Sequence, residues 1–419
     1  MARLRIAMLT TFFPPYHFGG DAIGVQRLAT ALADRGCEIT VVHDEDAFLL
    51  LAGREPTRVA PDPRLRVIGL RSPLRTASLL LTHQLGRPVA HARRLREILA
   101  PGAFDVVWYH NVSLVGGPGL LAYGDGLKVY EAHEHWLVCP THVLWRYNRE
   151  VCDARACLSC TLSYRRPPQA WRYAGVLDRQ LAQVDAFIAK SAFSRDMHRQ
   201  FGFSRPMTVI PYFLPDVPAA AAAAAPAAGS PAGRPYFLFV GRLEKIKGVQ
   251  DILGAFAGAD GPDLLVIGSG EYEATLRQLA DGMPRVRFLG RLAPDELARY
   301  YAHAIALIVP SLCYETFGII LIEAFRSATP VIARRIGPFP EIVERGGGVL
   351  FSDSRELAAA MARFHDDPAF RQRLADAAAA AFRRHWREDV VVASYLELLR
   401  AAATARGDQR VLAALGEMQ

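Results

Sequence analysis

The sequence predicts an α/β protein made of two doubly wound domains in series, each a parallel sheet covered by helices. Apolar runs of strand length alternate with amphipathic helical patterns from the first residues onward. An Ala/Pro-rich stretch interrupts the chain near its midpoint, and the alternation restarts after it. The length of 419 residues exceeds what a single hydrophobic core normally serves. Two domains are therefore expected.

The first half of the chain supplies the strands of one sheet. Strand-like runs cover residues 4–11, 38–43, 65–70, 105–110, 127–132, 186–190 and 208–211, and residues 22–35 have helical periodicity. Several of these runs are apolar almost throughout, as strands are when both faces of a parallel sheet are covered. Residues 1–216 are expected to form the N-terminal domain, followed by a linker over 217–234.

The second half repeats the pattern. Strands are predicted at 236–240, 264–268, 286–289, 306–309 and 330–333, and helices at 355–364, 368–384 and 389–403. Residues 235–388 are expected to form the C-terminal domain, and the helical segment 389–419 to pack back towards the first domain. Two doubly wound domains in series predict a ligand-binding cleft between the carboxyl ends of their strands.

Composition excludes several classes of protein. With 51% hydrophobic and 22% charged residues the chain is globular and not disordered. The first residues contain too few apolar side chains for the core of a signal peptide, and no apolar run is long enough to span a bilayer. Six cysteines in a chain of this length do not suggest a secreted disulfide framework. A cytoplasmic protein is expected. The net charge of +7 falls on the first half, but charge alone selects no partner among nucleic acid, anionic lipid and a phosphorylated ligand.

Two stretches have residues suited to phosphate binding. After the strand at 236–240 the chain reads Gly241-Arg-Leu-Glu-Lys-Ile-Lys247-Gly248, which places cations at the carboxyl end of a strand. Arginine offers a planar fork and lysine a point charge for a diphosphate, although a solvated charged turn is the alternative. The pair Gly19-Gly20 precedes the first helix and allows close approach of an anion, but it is weaker evidence because a plain turn explains it equally well.

The most informative stretch is Pro310-Ser-Leu-Cys-Tyr-Glu315-Thr316-Phe-Gly-Ile-Ile-Leu-Ile-Glu323-Ala. A strand is predicted to end at Pro310 and a helix to start near Thr316. Glu315 would then lie at the helix N-terminus, where a capping carboxylate is the alternative explanation. Glu323 follows on an otherwise apolar helix face. A carboxylate there needs a partner, which the hydroxyl groups of a ribose would provide.

These motifs together resemble the retaining glycosyltransferases of family 4, which have the type B fold of two Rossmann-like domains. The resemblance extends over nearly the whole chain, from Gly19-Gly20 to Trp386. It rests on the two glutamates eight positions apart and on five short motifs: Gly241-Arg242-Leu, Lys247-Gly248, Val286-Arg-Phe-Leu-Gly290-Arg291, Pro330-Val-Ile-Ala and Pro340-Glu341-Ile-Val. The chain departs from the family pattern at Tyr212-Phe213, at Gly337-Pro338 and at Glu134.

The resemblance implies roles for individual residues. It implies His133, Arg242, Lys247 and Glu315 as catalytic residues. It implies a donor site formed by Gly19, Gly20, Arg242, Lys247, Gly268, Arg291, Glu315, Phe317, Gly318, Ile319 and Glu323. Within it, the cations would hold the diphosphate, Glu323 the ribose, and Glu315 the sugar. His110 and His135 would lie on the acceptor side, although a structural histidine at a strand end is nearly as good an explanation for His110.

The implied activity is retaining transfer of a sugar from a nucleoside diphosphate sugar, with UDP or GDP, to a hydroxyl of a glycan, a lipid-linked or a small-molecule acceptor. No cofactor is expected for catalysis, and no nucleic acid partner. The alternatives are a nucleotide-sugar epimerase or phosphorylase on the same fold, and a non-catalytic protein that binds sugar or lipid.

Three further features lie outside the donor motifs. The triplet Asp44-Glu45-Asp46 has the form of a metal-binding Asp-x-Asp, but it comes so early in the chain that solvated acids or a contact at the sheet edge fit better. The basic stretch 71–96, from Arg71 to Arg96, contains six arginines and no acid among its leucines. It suits peripheral contact with anionic lipid at the inner face of a membrane, with the solvated face of ordinary helices as the alternative.

The third feature is a four-cysteine cluster, Cys139, Cys152, Cys157 and Cys160, with the spacing C-x12-C-x4-C-x2-C. Four thiolates in so short a segment suit a structural zinc ion, with His135 and His142 as reserve ligands. Reduced thiols in a loop are the alternative.

Overall fold

The computed structural model describes residues 3–57, 59–216 and 230–418, so most of the predicted linker, residues 217–229, lies outside the described residues. The chain divides into two compact units. The first consists of Met1–Pro211 with Val391–Gln419, and the second of Tyr212–Val390. Each unit is an α/β structure with a parallel sheet, as the sequence predicted.

The first unit contains a seven-stranded sheet with the order β3-β2-β1-β4-β5-β8-β9. Its strands are β1 (Arg5–Leu9), β2 (Glu38–Asp44), β3 (Leu65–Leu70), β4 (Val106–Tyr109), β5 (Leu127–Ala132), β8 (Ala186–Ala189) and β9 (Thr208–Val209). Met8 on β1 pairs with Val41 on one side and Trp108 on the other, in parallel register. The strand order therefore reverses between β1 and β4.

Helices connect the strands of the first unit and are α1 (Gly20–Asp34), α2 (Glu45–Ala52), α3 (Thr76–Leu85), α4 (Ala92–Ile98), α5 (Cys157–Ser163), α6 (Val176–Leu181) and α7 (Ala192–Gln200). A short antiparallel hairpin, β6 (Trp145–Arg146) and β7 (Glu150–Val151), precedes α5. The sequence did not predict this hairpin, because its strands are two residues long and show no alternation.

The second unit contains a six-stranded sheet with the order β12-β11-β10-β13-β14-β15. Its strands are β10 (Tyr236–Val240), β11 (Asp263–Ile267), β12 (Val286–Gly290), β13 (Leu307–Val309), β14 (Val331–Arg334) and β15 (Gly348–Phe351). Its helices are α8 (Glu273–Leu279), α9 (Pro294–His303), α10 (Ile319–Arg326), α11 (Phe339–Val343), α12 (Ser354–Asp366) and α13 (Pro368–His385). The order here reverses between β10 and β13.

The C-terminal helices are α14 (Glu388–Arg406) and α15 (Gln409–Gly416). From Val391 onward they belong to the first unit, in agreement with the prediction that the C-terminal helix packs back towards it. Residues 212–216 belong to the second unit, because Tyr212 and Leu214 are part of its core and the Leu214 N–H donates to the carbonyl of Trp386 over 3.1 Å.

Candidate functional site

Two loops meet at the carboxyl edge of the second sheet, where β10 and β13 lie side by side. The loop after β10 contains a short 3-10 helix, Lys245–Lys247, and the loop after β13 leads to α10. The N–H of Leu312 donates to the carbonyl of Ile246 over 2.8 Å and joins the loops. Because the strand order reverses here, this is the position at which doubly wound sheets hold their ligands.

Gly248 allows these loops to approach each other closely. Its φ is 76°, in the left-handed region. A Cβ at this position would lie 2.1 Å from the carbonyl oxygen of Pro310. Since glycine satisfies both conditions, Gly248 sets the position of its neighbour Lys247.

Lys247 and Glu315 form an ion pair between the loops. Nζ of Lys247 lies 2.5 Å from Oε1 of Glu315, and the hydroxyl of Ser311 donates to the same oxygen over 3.4 Å. The side chains are 19% and 24% exposed, so both retain surface that a ligand can contact. Burial opposes the charge of each group, but their mutual attraction outweighs it. The pKa of Lys247 is raised and the pKa of Glu315 is lowered, and both are charged at neutral pH.

Arg242 supplies a second cation in the loop after β10. Its side chain is 53% exposed and pairs with Glu244 over 2.7 Å. It also acts electrostatically on Lys247 and Glu315. Two cations and two carboxylates therefore share this edge. A bound diphosphate can take the place of a carboxylate as partner of the cations.

Helix α10 begins at Ile319, three residues later than predicted. Gly318 precedes it with a φ of 100°, and a Cβ there would lie 2.8 Å from the ring of Phe339. Glu315 therefore lies in the loop, and the alternative that it caps the helix is wrong. The N-cap residue Gly318 has no side chain with which to cap α10, so the first backbone N–H groups of the helix can donate to a ligand. The side chain of Phe317 is buried against Tyr212, with ring centroids 5.7 Å apart, so Phe317 faces the core.

Glu323 has a partner within the protein. The hydroxyl of Tyr301 donates to its Oε2 over 3.2 Å. Burial first, and then the neighbouring carboxylate, raise the pKa of Tyr301, so this hydroxyl stays protonated and available as a donor. Tyr301 thus supplies a partner for one oxygen of the carboxylate within the protein, and ribose binding by Glu323 stays a prediction.

Gly268 directly follows β11, and Arg291 directly follows β12. Gly268 has a φ of 141°, and a Cβ there would lie 1.8 Å from the carbonyl oxygen of Gly241. Arg291 donates through Nε to the hydroxyl of Ser269 over 2.7 Å. Gly268 thus allows the turns after β10 and β11 to pack together, and Arg291 lies beside the same turn.

The first unit contains a buried polar network at the carboxyl ends of β4 and β5. Nδ1 of His110 lies 2.9 Å from Nε2 of His133. Oε2 of Glu131 lies 3.5 Å from Nδ1 of His110, and Oε1 of Glu131 lies 3.8 Å from Nε2 of His133. The two predicted histidines therefore share one carboxylate, which sequence reasoning missed.

Lys190 and Tyr395 complete this network. Lys190 pairs with Glu131, and its Nζ lies 2.6 Å from the hydroxyl of Tyr395 on α14. That hydroxyl donates to Oε1 of Glu131 over 2.8 Å. The sequence contains a signal for this pair. Glu131 lies in the apolar run of β5 and Lys190 directly follows the apolar run of β8, and buried charges of this kind need partners. Because β5 and β8 are neighbours in the sheet, the two residues could have been paired from the sequence.

Both histidines of the network are neutral at physiological pH. Burial lowers the pKa of His110 to about 4 and the pKa of His133 well below its ordinary value, and the charge of Glu131 only partly opposes this. Burial would raise the pKa of Glu131, but the charge of Lys190 and its hydrogen bond hold that pKa at about 2. Neutral imidazoles beside a charged pair can donate or accept a hydrogen bond without titrating.

The remaining predicted residues of the first unit are dispersed. Gly19 is the N-cap of α1, has an extended φ of 169° and would accommodate a Cβ, so its backbone does not require glycine, and Gly20 is the first residue of the helix. His135 is buried with its ring 5.3 Å from that of His198.

The acidic triplet acts in local structure. Asp44 accepts from the N–H of Ala47 over 2.9 Å and caps α2, and Asp46 accepts from the N–H of Ser72 over 2.7 Å. These contacts agree with the interpretation of a contact at the sheet edge. Nε2 of His91 also lies 3.6 Å from Oδ2 of Asp44.

The basic stretch 71–96 covers α3 and part of α4. Leu80 and Leu81 on α3 are 52% and 37% exposed, and the neighbouring helix α2 exposes Leu50 and Leu51. The arginines are also at the surface, but Arg71 pairs with Glu45 and Glu55, and Arg93 and Arg94 pair with Glu97. Among the described residues, no helix combines the length and apolarity that a membrane span requires.

Solved structures share this fold along nearly the whole chain. Sucrose-phosphate synthase from Thermosynechococcus elongatus matches with a TM-score of 0.73 and 22% identity, over 96% of this chain and 100% of that one. Anabaena HepE, in a complex with UDP-glucose, matches with a TM-score of 0.65 and 19% identity, over 95% and 100%. The two doubly wound units thus define the type B fold of glycosyltransferases.

The sequence matches two family models, "Glycosyltransferase Family 4" over residues 18–214 and "Glycosyl transferases group 1" over residues 223–381. The chain belongs to family 4 of the glycosyltransferases.

Curated relatives match it over different lengths. A phosphatidyl-myo-inositol mannosyltransferase of Mycobacterium leprae is 32% identical, over 40% of this chain and 47% of the relative. An alpha-maltose-1-phosphate synthase of Mycolicibacterium smegmatis is 26% identical, over 86% and 88%. The chain spans only 21% to 47% of the length of this mannosyltransferase and of three further curated relatives that are 32% to 36% identical.

Proposed function

We propose that the protein transfers a sugar from a nucleoside diphosphate sugar, with UDP or GDP as nucleotide, to an acceptor hydroxyl with retention of anomeric configuration. The observation that carries this proposal is the Lys247–Glu315 ion pair, beside Arg242, at the strand-order reversal of the second sheet. Cations next to a carboxylate suit a donor in which a diphosphate is joined directly to a ring of hydroxyl groups.

The donor would lie along the carboxyl edge of the second sheet. Lys247 and Arg242 would bind the diphosphate. Glu315 and the backbone N–H groups at the start of α10, from Gly318 to Ile319, would bind the hydroxyls of the sugar. Glu323, held by Tyr301, would accept from the ribose, and the turn that contains Gly268, with Arg291 beside it, would border the nucleotide.

The bond from the sugar's anomeric carbon to the diphosphate oxygen would break, and the acceptor oxygen would form the new bond on the same face. The acceptor's proton would pass to an oxygen of the departing diphosphate. Negative charge develops on that diphosphate as it leaves, so preorganised cations stabilise the transition state more than the bound donor. Lys247 is suited to this because Glu315 keeps it protonated and in place.

The acceptor would use the first unit. The neutral His133 can hydrogen-bond a hydroxyl or sugar atom, and the charged Glu131–Lys190 pair would hold its imidazole in one orientation. His110 contacts His133 directly and would act by positioning it. His135 lies beside His198, and a contact with the acceptor stays a prediction.

The acceptor is proposed to be a hydroxyl of a glycan, a lipid-linked or a small molecule. A lipid-linked acceptor is supported by the exposed leucines of α2 and α3 next to arginines, and by the similarity to the phosphatidyl-myo-inositol mannosyltransferase of Mycobacterium leprae. Such a surface would hold a cytoplasmic enzyme peripherally at the inner face of a membrane that contains anionic lipid.

Incubation of the purified protein with single UDP and GDP sugars tests the activity. A transferase releases the nucleoside diphosphate and free sugar slowly from one donor, and faster with an acceptor. An epimerase returns an isomeric nucleotide sugar, and a phosphorylase needs inorganic phosphate. A binding protein shows a thermal shift but no turnover. A donor at about 100 times its Kd stabilises the fold by about 2.7 kcal/mol, which is enough to measure.

A further inference from the structure

The four-cysteine cluster brings together three segments of the first unit. Cys139 lies in the loop after β5, Cys152 follows the hairpin of β6 and β7, and Cys157 and Cys160 lie in the first turn of α5. All four are free thiols. Cys152 interacts electrostatically with the other three thiols.

The hairpin holds Cys152 at its end and contacts the sulfur of Cys160 at its turn. The N–H of Cys152 donates to the carbonyl of Leu144 over 2.8 Å. At the turn, Tyr147 and Asn148 have φ values of 54° and 58°, and the N–H of Tyr147 points to Sγ of Cys160 over 3.3 Å. Backbone N–H groups directed at sulfur are the outer contacts that orient metal-bound thiolates.

Positive side chains surround the cluster. The guanidinium of Arg172 lies between Trp136 and Trp171, 5.2 and 4.6 Å from their ring centroids. It interacts electrostatically with Cys139 and Cys157. Arg146 acts on Cys152 and Arg155 on Cys157. A divalent ion with four thiolates has a net charge of about −2, which such cations balance.

The segment that bears these cysteines has little regular structure to hold itself in place. The strands of its hairpin are two residues long, and α5 is seven residues long. Helices of this length are not stable alone, and an isolated hairpin is marginal. A metal ion that ties the hairpin to the start of α5 would provide the missing constraint.

We propose that the four-cysteine cluster binds one structural Zn²⁺ ion in tetrahedral thiolate coordination. Four soft ligands, two of them from a Cys-x-x-Cys at the start of a helix, match the preference of Zn²⁺. Binding replaces four S–H bonds by four Zn–S bonds and releases four protons to solvent, with no change of oxidation state. It lies apart from sugar transfer and does not depend on the proposed function.

The site consists of sulfur alone. His142 is held by Glu134 over 2.7 Å, and His135 lies against His198, so neither reserve histidine is placed as a ligand. Zn–S bonds of about 2.3 Å require sulfur atoms about 3.8 Å apart. Among the described residues, the groups whose ligand atoms all lie within 4.8 Å are His110 with Glu131 and His133, and Asp44 with Asp46 and His91. The cysteine sulfurs are spaced more widely, so the ion would contract the cluster.

The contraction has a structural consequence. Cys157, Leu158 and Leu162 of α5 line a cavity of about 700 Å³ together with Tyr173 of the following loop. The ion would fix this wall of the cavity. Its removal is expected to expose α5 and the hairpin to proteases before the rest of the first unit.

The experiment uses full-length protein without a metal-affinity tag, stripped with a chelator and reloaded with Zn²⁺ alone. Elemental analysis is expected to give one zinc per chain, and reaction with a thiol reagent is expected to modify four fewer cysteines than in the stripped protein. Co²⁺ in place of Zn²⁺ should give the visible bands of a tetrahedral thiolate site. Cys157→Ala with Cys160→Ala should reduce the metal to near zero, while Cys37→Ala, a buried thiol elsewhere in the first unit, should retain it.

Wild-type protein that binds no zinc after reloading, or whose four thiols react equally fast with and without it, would overturn the proposal. Equimolar iron and acid-labile sulfide in freshly purified protein would also overturn it, in favour of a cluster. Thiol reactivity is measured on the wild type, so the result stands even if the double variant does not fold.

Discussion

Nζ of Lys247 lies 2.5 Å from Oε1 of Glu315, across two loops that follow neighbouring strands of the second sheet. This contact couples the proposed diphosphate ligand to the proposed sugar ligand before any donor is bound. A donor must therefore redistribute a pair of charges that already neutralise each other. The two residues cannot be treated as independent contacts in mutagenesis.

Glu315→Gln is expected to separate diphosphate binding from turnover. Loss of the carboxylate frees Lys247 and removes a negative charge near the diphosphate, so the free nucleoside diphosphate should bind as tightly as to wild type or more tightly. Turnover should fall by about 10²-fold because Lys247 loses the group that positions it. Calorimetry and initial rates measure the two effects. Glu344→Gln, at an exposed carboxylate of the same unit, serves as control, and weaker diphosphate binding by Glu315→Gln would contradict the coupling.

Gly248→Ala is expected to disrupt the donor loops. The new Cβ would lie 2.1 Å from the carbonyl oxygen of Pro310, so the loops must separate and Lys247 must move. Gly282→Ala is the matched control, because Gly282 has a similar φ of 73° but nothing within 4 Å of the added Cβ. The control should cost about 1 kcal/mol of backbone strain, and Gly248→Ala clearly more, as seen in denaturant unfolding. Equal losses for both variants would mean that the loop approach is not tight.

The first unit is expected to lose stability as the pH falls below about 6.5. Burial lowers the pKa values of His43, His110 and His198 to about 4. The unfolded chain therefore binds more protons between about pH 4 and 6.5, so stability rises with pH in that window. Asp44, whose pKa burial raises to about 7, acts in the opposite direction, but it stands against these three histidines and His83, whose pKa burial also lowers to about 4. Free energies of unfolding from urea denaturation at about pH 5 and pH 7 should differ by more than about 1 kcal/mol. A midpoint that is equal or higher at pH 5 would contradict the buried neutral histidines.

Replacement of Leu80 and Leu81 by Ser should weaken binding to vesicles of anionic lipid while leaving donor hydrolysis unchanged. Their exposed side chains would insert among the headgroups, and loss of apolar area weakens this contact. High salt should weaken it further, because the Debye length falls from about 10 Å at 0.1 M to about 3 Å at 1 M. Leu279→Ser, at a leucine of the second unit that is 47% exposed, is the control for a general loss of surface apolarity. Equal sedimentation of all variants with vesicles would exclude this surface as the membrane contact.

The sequence predicted the two sheets well because their strands are continuous buried runs. The predicted limits of β3, β5 and β10 coincide with the observed ones. β15 was missed, because it has three apolar residues after a run of glycines and lies at a sheet edge where burial is partial. Helix α10 was predicted to start too early, since its start depends on the left-handed Gly318.

The candidate site could be predicted only in part, because its contacts form between loops and between residues far apart in the chain. Residues 242–247 and 315 follow strands that a doubly wound order makes adjacent, so their convergence could be expected. The ion pair between Lys247 and Glu315 depends on loop contacts set by Gly248, which no local pattern shows. The Glu131–Lys190–Tyr395 network likewise joins residues far apart in the chain, one of them on the C-terminal helix.

The most direct test of the donor site is the turnover of Arg242→Ala/Lys247→Ala with a saturating nucleotide sugar. Both cations act most strongly as charge develops on the departing diphosphate, so the rate at saturation should fall by at least the roughly 10²- to 10³-fold that one preorganised contact typically supplies. Circular dichroism and the thermal midpoint check that the variant is folded. If the folded double variant turns over a saturating donor at a near-normal rate, the assignment of the carboxyl edge of the second sheet as the diphosphate site is contradicted.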